Sequence, residues 1–254
     1  MGNCRVKVKN AAIDIPVAEE PVPESVPEAY KIVLIGDRAV GKSSIVKRFT
    51  ENSFSAAYGL TIGSAFAAKD VVLQREDGEE VKVKLHIWDT AGEEQYRSMT
   101  RFFLREAVVG LVVYDITDAT SATNMDSWIS CLLEDSPEAQ VLVVGNKNDS
   151  PNRKVSQEDI LHYAAANQFE TIECSAKSGE NISEVFCKAA VIAYKTKHSY
   201  HGYKWKEIFS CQATKSSSNC SSSISSGNSF THSSMNMEQY SMAVFIMMKS
   251  LLVL

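Results

Sequence analysis

The sequence predicts an α/β fold, a three-layer sandwich in which a mainly parallel six-stranded sheet has helices on both faces and one antiparallel edge strand. Short, continuous apolar runs at 32–35, 109–114 and 141–145 predict strands that are buried on both faces. Helical patterns lie between these runs, and strand–helix alternation is typical of a parallel sheet. The Asp77-Gly78 pair joins two further strand-like segments, which predicts one antiparallel hairpin.

The predicted elements follow one another between about residues 30 and 197. The first strand leads into a helix from Lys42 to about Asn52, where apolar residues recur at helical spacing. A polar stretch, 53–63, precedes the hairpin. The remaining strands are expected at 64–75, 80–88, 109–114, 141–145 and 169–174, and the remaining helices at 122–134, 156–166 and 181–195.

Two flanking segments differ from this domain in composition. Residues 1–29 hold most of the chain's six prolines, interleaved with glutamates, which predicts an extended spacer. Residues 198–254 contain a serine-rich stretch with almost no apolar content, which predicts disorder. We therefore expect an N-terminal extension, one domain at 30–197 and a C-terminal tail.

The overall composition excludes several classes of function. The 254 residues are 44% hydrophobic and 22% charged, which suits one globular domain with additional segments. The net charge of −5 gives no basic footprint for nucleic acid. Six cysteines without a C-x-x-C pair favour a reducing cytosol over a disulfide framework, and the five histidines form no metal-ligand cluster. The first residues lack the apolar segment of a secretory signal, so we expect a cytoplasmic protein.

The loop from Gly36 to Ser43 predicts a nucleotide site. It fits G-x-x-x-x-G-K-[ST] between a buried strand and the start of a helix, where backbone N–H groups and the helix N-terminus bind phosphate. Lys42 is expected to contact the β- and γ-phosphates and Ser43 to ligate Mg²⁺. A chance glycine turn is the alternative, and the flanking elements disfavour it. The predicted contacts are Gly36, Asp37, Arg38, Ala39, Val40, Gly41, Lys42, Ser43 and Ser44.

Two later segments predict that the base is guanine. The Asn-Lys-Asn-Asp run at 146–149 follows a strand and fits N-K-x-D. The carboxylate of Asp149 can accept from both the N1–H and the exocyclic amine of guanine, whereas adenine lacks that donor pair. The run at 173–177 is expected to direct backbone N–H groups toward guanine O6. The predicted base contacts are Asn146, Lys147, Asp149, Ser175, Ala176 and Lys177.

The Asp-Thr-Ala-Gly run at 89–92 and the polar stretch complete the predicted site. Asp89 is expected to reach Mg²⁺ through water, and the Gly92 N–H to contact the γ-phosphate. Thr61 can offer its hydroxyl to Mg²⁺ and its N–H to the γ-phosphate. Tyr58 is expected to cover the phosphates and Phe54 to pack against the base. Each residue has an ordinary structural alternative, and their shared order along the chain favours the functional interpretation.

With these motifs in this order, the chain over about residues 30–197 resembles the Ras superfamily of small GTPases and, more narrowly, the Rab family. Rab-like stretches lie at 62–66, 84–88, 95–100 and 113–117. The resemblance implies a P-loop fold and a switch between GTP and GDP that recruits effectors in vesicle traffic, peripherally on endomembranes. It also implies exchange factors, activating proteins and a GDP-dissociation inhibitor as partners.

The resemblance further assigns an aromatic effector surface and a switch. Phe66, Trp88 and Phe103 fall where Rab proteins carry an exposed aromatic triad; the alternative is that the three rings belong to the core. Thr61 and Gly92 would contact the γ-phosphate only when GTP is bound, so that their loops are ordered then and released after hydrolysis.

Two residues depart from the family pattern in the expected catalytic set of Glu93, Lys42, Thr61 and Gly92. Glu93 replaces the glutamine that orients the attacking water; a carboxylate can accept from that water but cannot donate. Arg38 occupies a position that the family usually fills with Gly or Ser. Our hypothesis is slow GTP hydrolysis. A GTP-binding interaction module that does not cycle is the second hypothesis, and an ATP-using kinase or ATPase is the third.

A third departure concerns membrane attachment. The family's C-terminal prenylatable cysteines are not found near Leu254. Gly2 offers a myristoylation site and Cys4 a palmitoylation site, although Val6 stands where the motif has Ser or Thr. An unmodified leader is the alternative. The apolar segment 242–254 is shorter than the ~20 residues that span a bilayer.

Overall fold

The computed structural model describes residues 27–56, 61, 64–75, 78–92 and 97–198, without the side chains of 97–100. Every described residue belongs to the first of the chain's two structural units, Met1–Thr214. Several predictions fall outside the described residues: the leader with Gly2 and Cys4, the positions of Tyr58 and Glu93, and the tail from residue 199 onward.

Strands and helices alternate along the described residues, as the sequence predicts. The elements are β1 (Glu28–Ile35), α1 (Lys42–Glu51), β2 (Ser64–Gln74), β3 (Glu80–Thr90), α2 (Arg97–Leu104), β4 (Val109–Asp115), α3 (Ala119–Thr123), α4 (Met125–Asp135), β5 (Gln140–Asn146), α5 (Gln157–Asn167), β6 (Glu170–Glu173) and α6 (Ile182–His198).

One six-stranded sheet has the order β2-β3-β1-β4-β5-β6. The β2–β3 pair is antiparallel, with Phe66 opposite Trp88, and every other pair is parallel. The predicted fold class is therefore confirmed, including the antiparallel edge strand. Strand β1 has β3 on one side and β4 on the other, so the strand order reverses direction at β1. In sheets of this kind, ligands bind at such a point, beyond the carboxyl ends of the strands.

The two faces of the sheet bury separate cores because residues alternate along β1. Ile32 and Leu34 belong to the core under α1 and α6, where the rings of Phe49 and Phe186 stack with centroids 3.9 Å apart. Val33 belongs to the other core, which also contains residues of α2, α4 and α5. Each fully buried side chain of this size contributes about 1.5–3 kcal/mol. The two cores hold the strand ends, and thus the loops that follow them, in place.

The structure differs from the sequence-based prediction at several elements. Strand β1 begins at Glu28, within the segment 1–29 predicted to be an extended spacer, because its backbone pairs with β3 from that residue onward. Helix α6 continues to His198 instead of ending at about 195. The helix expected at 122–134 is two helices, α3 and α4, which meet at Asn124. Helix α2 was not predicted, because eight residues give too short a window for helical periodicity. Strand β6 is one residue shorter at each end than the predicted 169–174. Within the described part of the chain, no helix has both the length and the apolar character needed to cross a bilayer.

Candidate nucleotide-binding site

A cavity of about 670 Å³ lies at the carboxyl edge of the sheet and is lined by segments that follow β1, β3, β5 and β6. It brings together most of the residues that the sequence assigns to a nucleotide. Those on its wall are Arg38, Ala39, Gly41, Lys42, Ser43, Ser44, Phe54, Thr61, Asp89, Gly92, Asn146, Lys147, Asp149, Ala176 and Lys177. Gly36, Asp37, Val40 and Ser175 are not among the lining residues.

The phosphate loop, Gly36–Ser43, is tightly folded because two glycines permit it. Gly36 has φ +138°, and a Cβ there would lie 2.1 Å from the carbonyl oxygen of Val113. Gly41 has φ +100°, and a Cβ there would lie 2.2 Å from Nδ2 of Asn146. The loop backbone therefore approaches β4 and the end of β5 more closely than any side chain would allow.

Lys42, the first residue of α1, is only 6% exposed. Its ammonium donates to the carbonyl oxygens of Gly36 at 2.7 Å and Asp37 at 2.8 Å. Burial lowers the pKa of Lys42 to about 8, and the nearby charges of Asp89 and Asp37 oppose that effect. A buried cation held on neutral carbonyls favours an incoming anion. Gly92 packs against this group, since a Cβ there would lie 2.5 Å from the Lys42 Nζ.

Oxygen atoms from three segments form a cluster beside Lys42. The hydroxyls of Ser43 and Thr61 are 2.8 Å apart. Asp89 is 3% exposed, and its Oδ1 is a buried oxygen for which the described residues provide no hydrogen-bond partner. Burial raises the pKa of Asp89, while a hydrogen bond with Ser43 and the charge of Lys42 lower it. Oxygen ligands that include one or two carboxylates suit Mg²⁺, so these residues fit that ion.

On the base side, Asp149 is held ionised by its neighbours. The Ser175 hydroxyl donates to its Oδ1 at 2.7 Å, and the Lys177 ammonium lies 3.4 Å from its Oδ2. The hydrogen bond from Ser175 is the main reason that the pKa of Asp149 is lowered, although burial opposes it. An ionised carboxylate only accepts, which is what the donor edge of guanine requires.

Asn146 and Lys147 connect loops in addition to lining the cavity. The buried Asn146 side chain donates to the Val40 carbonyl at 2.8 Å and accepts from the Ala176 N–H at 3.1 Å. Lys147 has φ +69°, and its ammonium lies 2.5 Å from a carboxylate oxygen of Asp115 at the end of β4. Sequence reasoning did not assign Asp115 to the site, although its place at a strand end was a signal.

Arg48 is a second residue that sequence reasoning missed. From α1 it donates to the carbonyl oxygens of Ala176 at 2.8 Å and Lys177 at 2.7 Å. Its guanidinium carbon lies 5.9 Å from the ring centroid of Phe54, which lines the cavity. Arg48 therefore links the helix that follows the phosphate loop to the loop at 175–177. No local pattern indicates this role.

Asp37 has a position that the motif did not predict. Its carboxylate accepts from Nε1 of Trp128 at 2.7 Å and from Nδ2 of Asn124 at 2.8 Å, at the start of α4. Its backbone carbonyl, by contrast, accepts from Lys42. The side chain is thus bound to α4, and only the backbone faces the buried lysine.

The rings of the predicted effector triad are in contact with one another. The centroid distances are 5.1 Å for Phe66–Trp88 and 5.6 Å for Trp88–Phe103. Phe103 is buried at 7% exposure, whereas Phe66 and Trp88 are half-buried. Phe102, which packs edge-on against Phe103, is 62% exposed. We call these four residues the aromatic cluster; it combines core and surface positions.

The sheet order and the glycine-rich loop after β1 define a P-loop α/β nucleotide-binding protein. The family model described as "Ras family" matches residues 31–195. The chain therefore belongs to the Ras family, and the names of its relatives indicate a Rab-type small GTPase. The resemblance inferred from the motifs is confirmed.

Three relatives illustrate the extent of the similarity. The chain is 42% identical to GTP-binding protein ypt3 of Schizosaccharomyces pombe over 159 residues, 62% of this chain and 72% of the relative. It is 36% identical to Ras-related protein Rab-5B of Plasmodium falciparum over 187 residues, 73% and 88% of the two chains. For Ras-related protein SEC4 of Saccharomyces cerevisiae the identity is 40% over 157 residues, 61% and 71%.

Proposed function

We propose that this protein is a Rab-like switch that binds GTP and GDP with Mg²⁺, hydrolyses GTP slowly and recruits effectors in vesicle trafficking. One observation carries the proposal: the phosphate loop and Asp149 line the same cavity of about 670 Å³. In the proposed pose the phosphates lie against the phosphate loop and the base lies against Asp149. Residues 30–197 form the GTPase domain, and the segments on either side are extensions of it.

Lys42 is the residue whose positive charge is proposed to bind the phosphates of the nucleotide. Its ammonium donates to two carbonyl oxygens of the phosphate loop. Phosphate oxygens carry full negative charge and form stronger hydrogen bonds with a cation than neutral carbonyls do. The N–H groups of the phosphate loop and the N-terminus of α1 add to this attraction.

Ser43, Thr61 and Asp89 are the proposed Mg²⁺ residues. The two hydroxyls are in mutual contact, and the buried Asp89 oxygen has an unused acceptor site among the described residues. When bound, Mg²⁺ would supply positive charge that stabilises the phosphates. Ser43 and Thr61 would hold it through their hydroxyls, and Asp89 would hold it through a water; the role of Thr61 would depend on GTP being bound.

Asp149 is the proposed reader of guanine. Its carboxylate accepts the N1–H and the amine of the base, while Ser175 and Lys177 keep it ionised. Phe54 packs on the base under the guanidinium of Arg48. An adenine in this position would leave the carboxylate without donors, and this cost favours guanine strongly.

The proposed hydrolysis is slow because of Arg38 and Glu93. A water oxygen attacks the γ-phosphorus, the bond to the β–γ bridging oxygen breaks, and GDP and phosphate leave. Glu93 accepts a hydrogen bond from the water but cannot donate one to the developing anion. Arg38 belongs to the phosphate loop and lines the cavity. In the proposed mechanism its side chain takes space that the water and an arginine finger require. Lys42 and the Gly92 N–H stabilise the transferred phosphoryl group.

The aromatic cluster is the proposed effector surface, with Phe66 and Trp88 presented by the β2–β3 pair and Phe102 added at its margin. Exchange factors, activating proteins and a GDP-dissociation inhibitor are proposed as further partners. Attachment to the cytosolic face of endomembranes is proposed through Gly2 and Cys4. Fractionation of a Gly2→Ala variant tests the last point, since unchanged recovery in membranes would reject myristoylation.

The test of the switch is single-turnover GTP hydrolysis, with and without a Rab-type activating protein. We compare the wild type with Arg38→Ser and Glu93→Gln, and use Asn167→Ala on the exposed surface of α5 as a control. Both site variants should hydrolyse GTP faster than the wild type, and the control should match it. Ordinary stimulated rates in the wild type would reject slow hydrolysis. Displacement of labelled GTP by ATP would reject guanine recognition altogether.

A further inference from the structure

The side chain of Asp37 belongs to a partly buried hydrogen-bond network that reaches from the phosphate loop to α4. Its Oδ1 accepts from the Trp128 indole at 2.7 Å and its Oδ2 from the Asn124 amide at 2.8 Å. Trp128 is 1% exposed and lies in the core beneath the sheet, so its indole has little freedom to move. Both donors are neutral, and both hydrogen bonds are made to a charged acceptor, which makes them stronger than ordinary ones.

The same residue contacts the phosphate-binding group through its backbone. The carbonyl oxygen of Asp37 accepts from Lys42 at 2.8 Å. It also lies against Gly92, since a Cβ on that glycine would be 2.6 Å from this oxygen. A shift of Asp37 would therefore move a contact of Lys42 and the packing of the Asp-Thr-Ala-Gly loop together.

We propose that Asp37 is a positioning residue, which through Asn124 and Trp128 holds the phosphate loop on α4 in the geometry that binds the β-phosphate. This inference rests on the proposed function, because it concerns the same nucleotide. Displacements of about 1 Å in a site weaken its function strongly. The network lies behind the loop, so its effect reaches the nucleotide only through the loop backbone.

Exchanging the donor at position 124 and the acceptor at position 37 tests the proposal. Asn124→Asp places a second carboxylate opposite Asp37, where a donor is required. Helix α4 itself tolerates that change, since a negative charge at a helix N-terminus is favourable. Combining it with Asp37→Asn restores a donor and an acceptor between positions 37 and 124. The amide oxygen at position 37 still accepts from Trp128.

The readout separates positioning from general loss of stability. Dissociation of fluorescent GDP reports the phosphate site, and the affinity for GMP reports base recognition without a β-phosphate. Tyr163→Phe is the matched control. It removes a hydrogen bond of 2.5 Å from α5 to Asp126 of α4, the helix that also holds Trp128, without touching the phosphate loop. The indole N–H signal of Trp128 in an NMR spectrum reports the contact with Asp37 directly.

We expect Asn124→Asp to accelerate GDP dissociation about tenfold or more, as the loss of one hydrogen bond to a charged group predicts. Its affinity for GMP should stay within about twofold, and the indole signal should move. The double variant should return the rate to within about threefold of the wild type, and Tyr163→Phe should leave it unchanged.

Three results would overturn the inference: an unchanged GDP rate in Asn124→Asp, equal losses for GDP and GMP, or no recovery in the double variant. A wild-type protein that binds neither GDP nor GTP would instead reject the proposed function. The two failures are thus distinguishable, because the second is seen before any variant is made.

Discussion

Asn146, the last residue of β5, donates a hydrogen bond of 2.8 Å to the carbonyl oxygen of Val40 and so ties the end of that strand to the phosphate loop. The same amide accepts from the N–H of Ala176. Two loops that are distant in sequence, the phosphate loop and the loop after β6, therefore meet on one buried side chain at the end of β5. Its removal would leave a buried donor and a buried acceptor without partners, which is more costly than the loss of an exposed hydrogen bond.

Asn146→Ala should therefore lower the free energy of unfolding by about 2–4 kcal/mol and accelerate GDP release. Urea denaturation at a fixed GDP concentration measures the first effect. Asn167→Ala, which removes an exposed amide hydrogen bond on α5, is the control and should cost less than about 1 kcal/mol. Equal effects of the two variants would show that Asn146 does not bridge the loops.

Gly36→Ala should be far more damaging than Gly78→Ala, although both glycines have positive φ. At Gly36 the new methyl group would lie 2.1 Å from the Val113 carbonyl, whereas at Gly78 it would meet no atom within 4 Å. The second variant should cost only the backbone strain of about 1–2 kcal/mol. We expect Gly36→Ala to lose nucleotide binding or to fail to fold, as measured by circular dichroism and GDP binding. Similar stability of the two variants would contradict the tight packing of the loop on β4.

The affinity for GDP should fall as the pH rises through about 8. Burial lowers the pKa of Lys42 to about 8, and phosphate favours the protonated amine. Above that pH binding must take up a proton, which weakens it, whereas below it the lysine is already charged. Calorimetry in two buffers of different ionisation enthalpy measures the proton uptake. GMP has the same base without the β-phosphate and should show a smaller dependence; an identical pH profile for both ligands would exclude Lys42 as the cause.

The lowered pKa of Lys42 also affects the free energy of unfolding, which should rise with pH where the affinity for GDP falls. A lysine whose pKa is lowered on folding binds its proton more weakly in the folded state than in the unfolded state. Its charged form therefore destabilises the fold below about pH 8, and this penalty is relieved between about 8 and the normal lysine value of 10.5. The pH dependence of affinity and that of stability should consequently run in opposite directions.

Asp149→Asn should change the preferred base from guanine to xanthine. The carboxylate presents two acceptors, whereas an amide presents one acceptor and one donor, which matches the N1–H and C2 carbonyl of xanthine. We expect GDP affinity to fall at least about a hundredfold and XDP affinity to rise, as measured by competition against a fluorescent nucleotide. The Ser175 hydroxyl, which now donates to Asp149, can serve the amide oxygen equally well. Retained preference for GDP would show that Asp149 does not contact the base.

The fold class could be predicted from the sequence because the signals are local. Apolar runs such as 109–114 are continuous when both faces of a strand are buried, and the pair Asp77-Gly78 indicates a hairpin. Helix α2 was missed because it is short, and the division between α3 and α4 was missed because the apolar pattern continues across Asn124. In the site, the loop motifs alone predict most of the residues that line the cavity.

The sequence by itself determined which loops are predicted to carry phosphate and base chemistry, since each motif, the glycine loop with Lys42 and the N-K-x-D run with Asp149, is complete within a few residues. Only the tertiary structure decided how those loops are held together. Asp37 meets Asn124 across 87 positions, Val40 meets Asn146 across 106, and Arg48 meets Ala176 across 128. No local pattern specifies such contacts, because they exist only after the sheet order has brought the ends of β1, β5 and β6 to one edge and α4 beneath the phosphate loop.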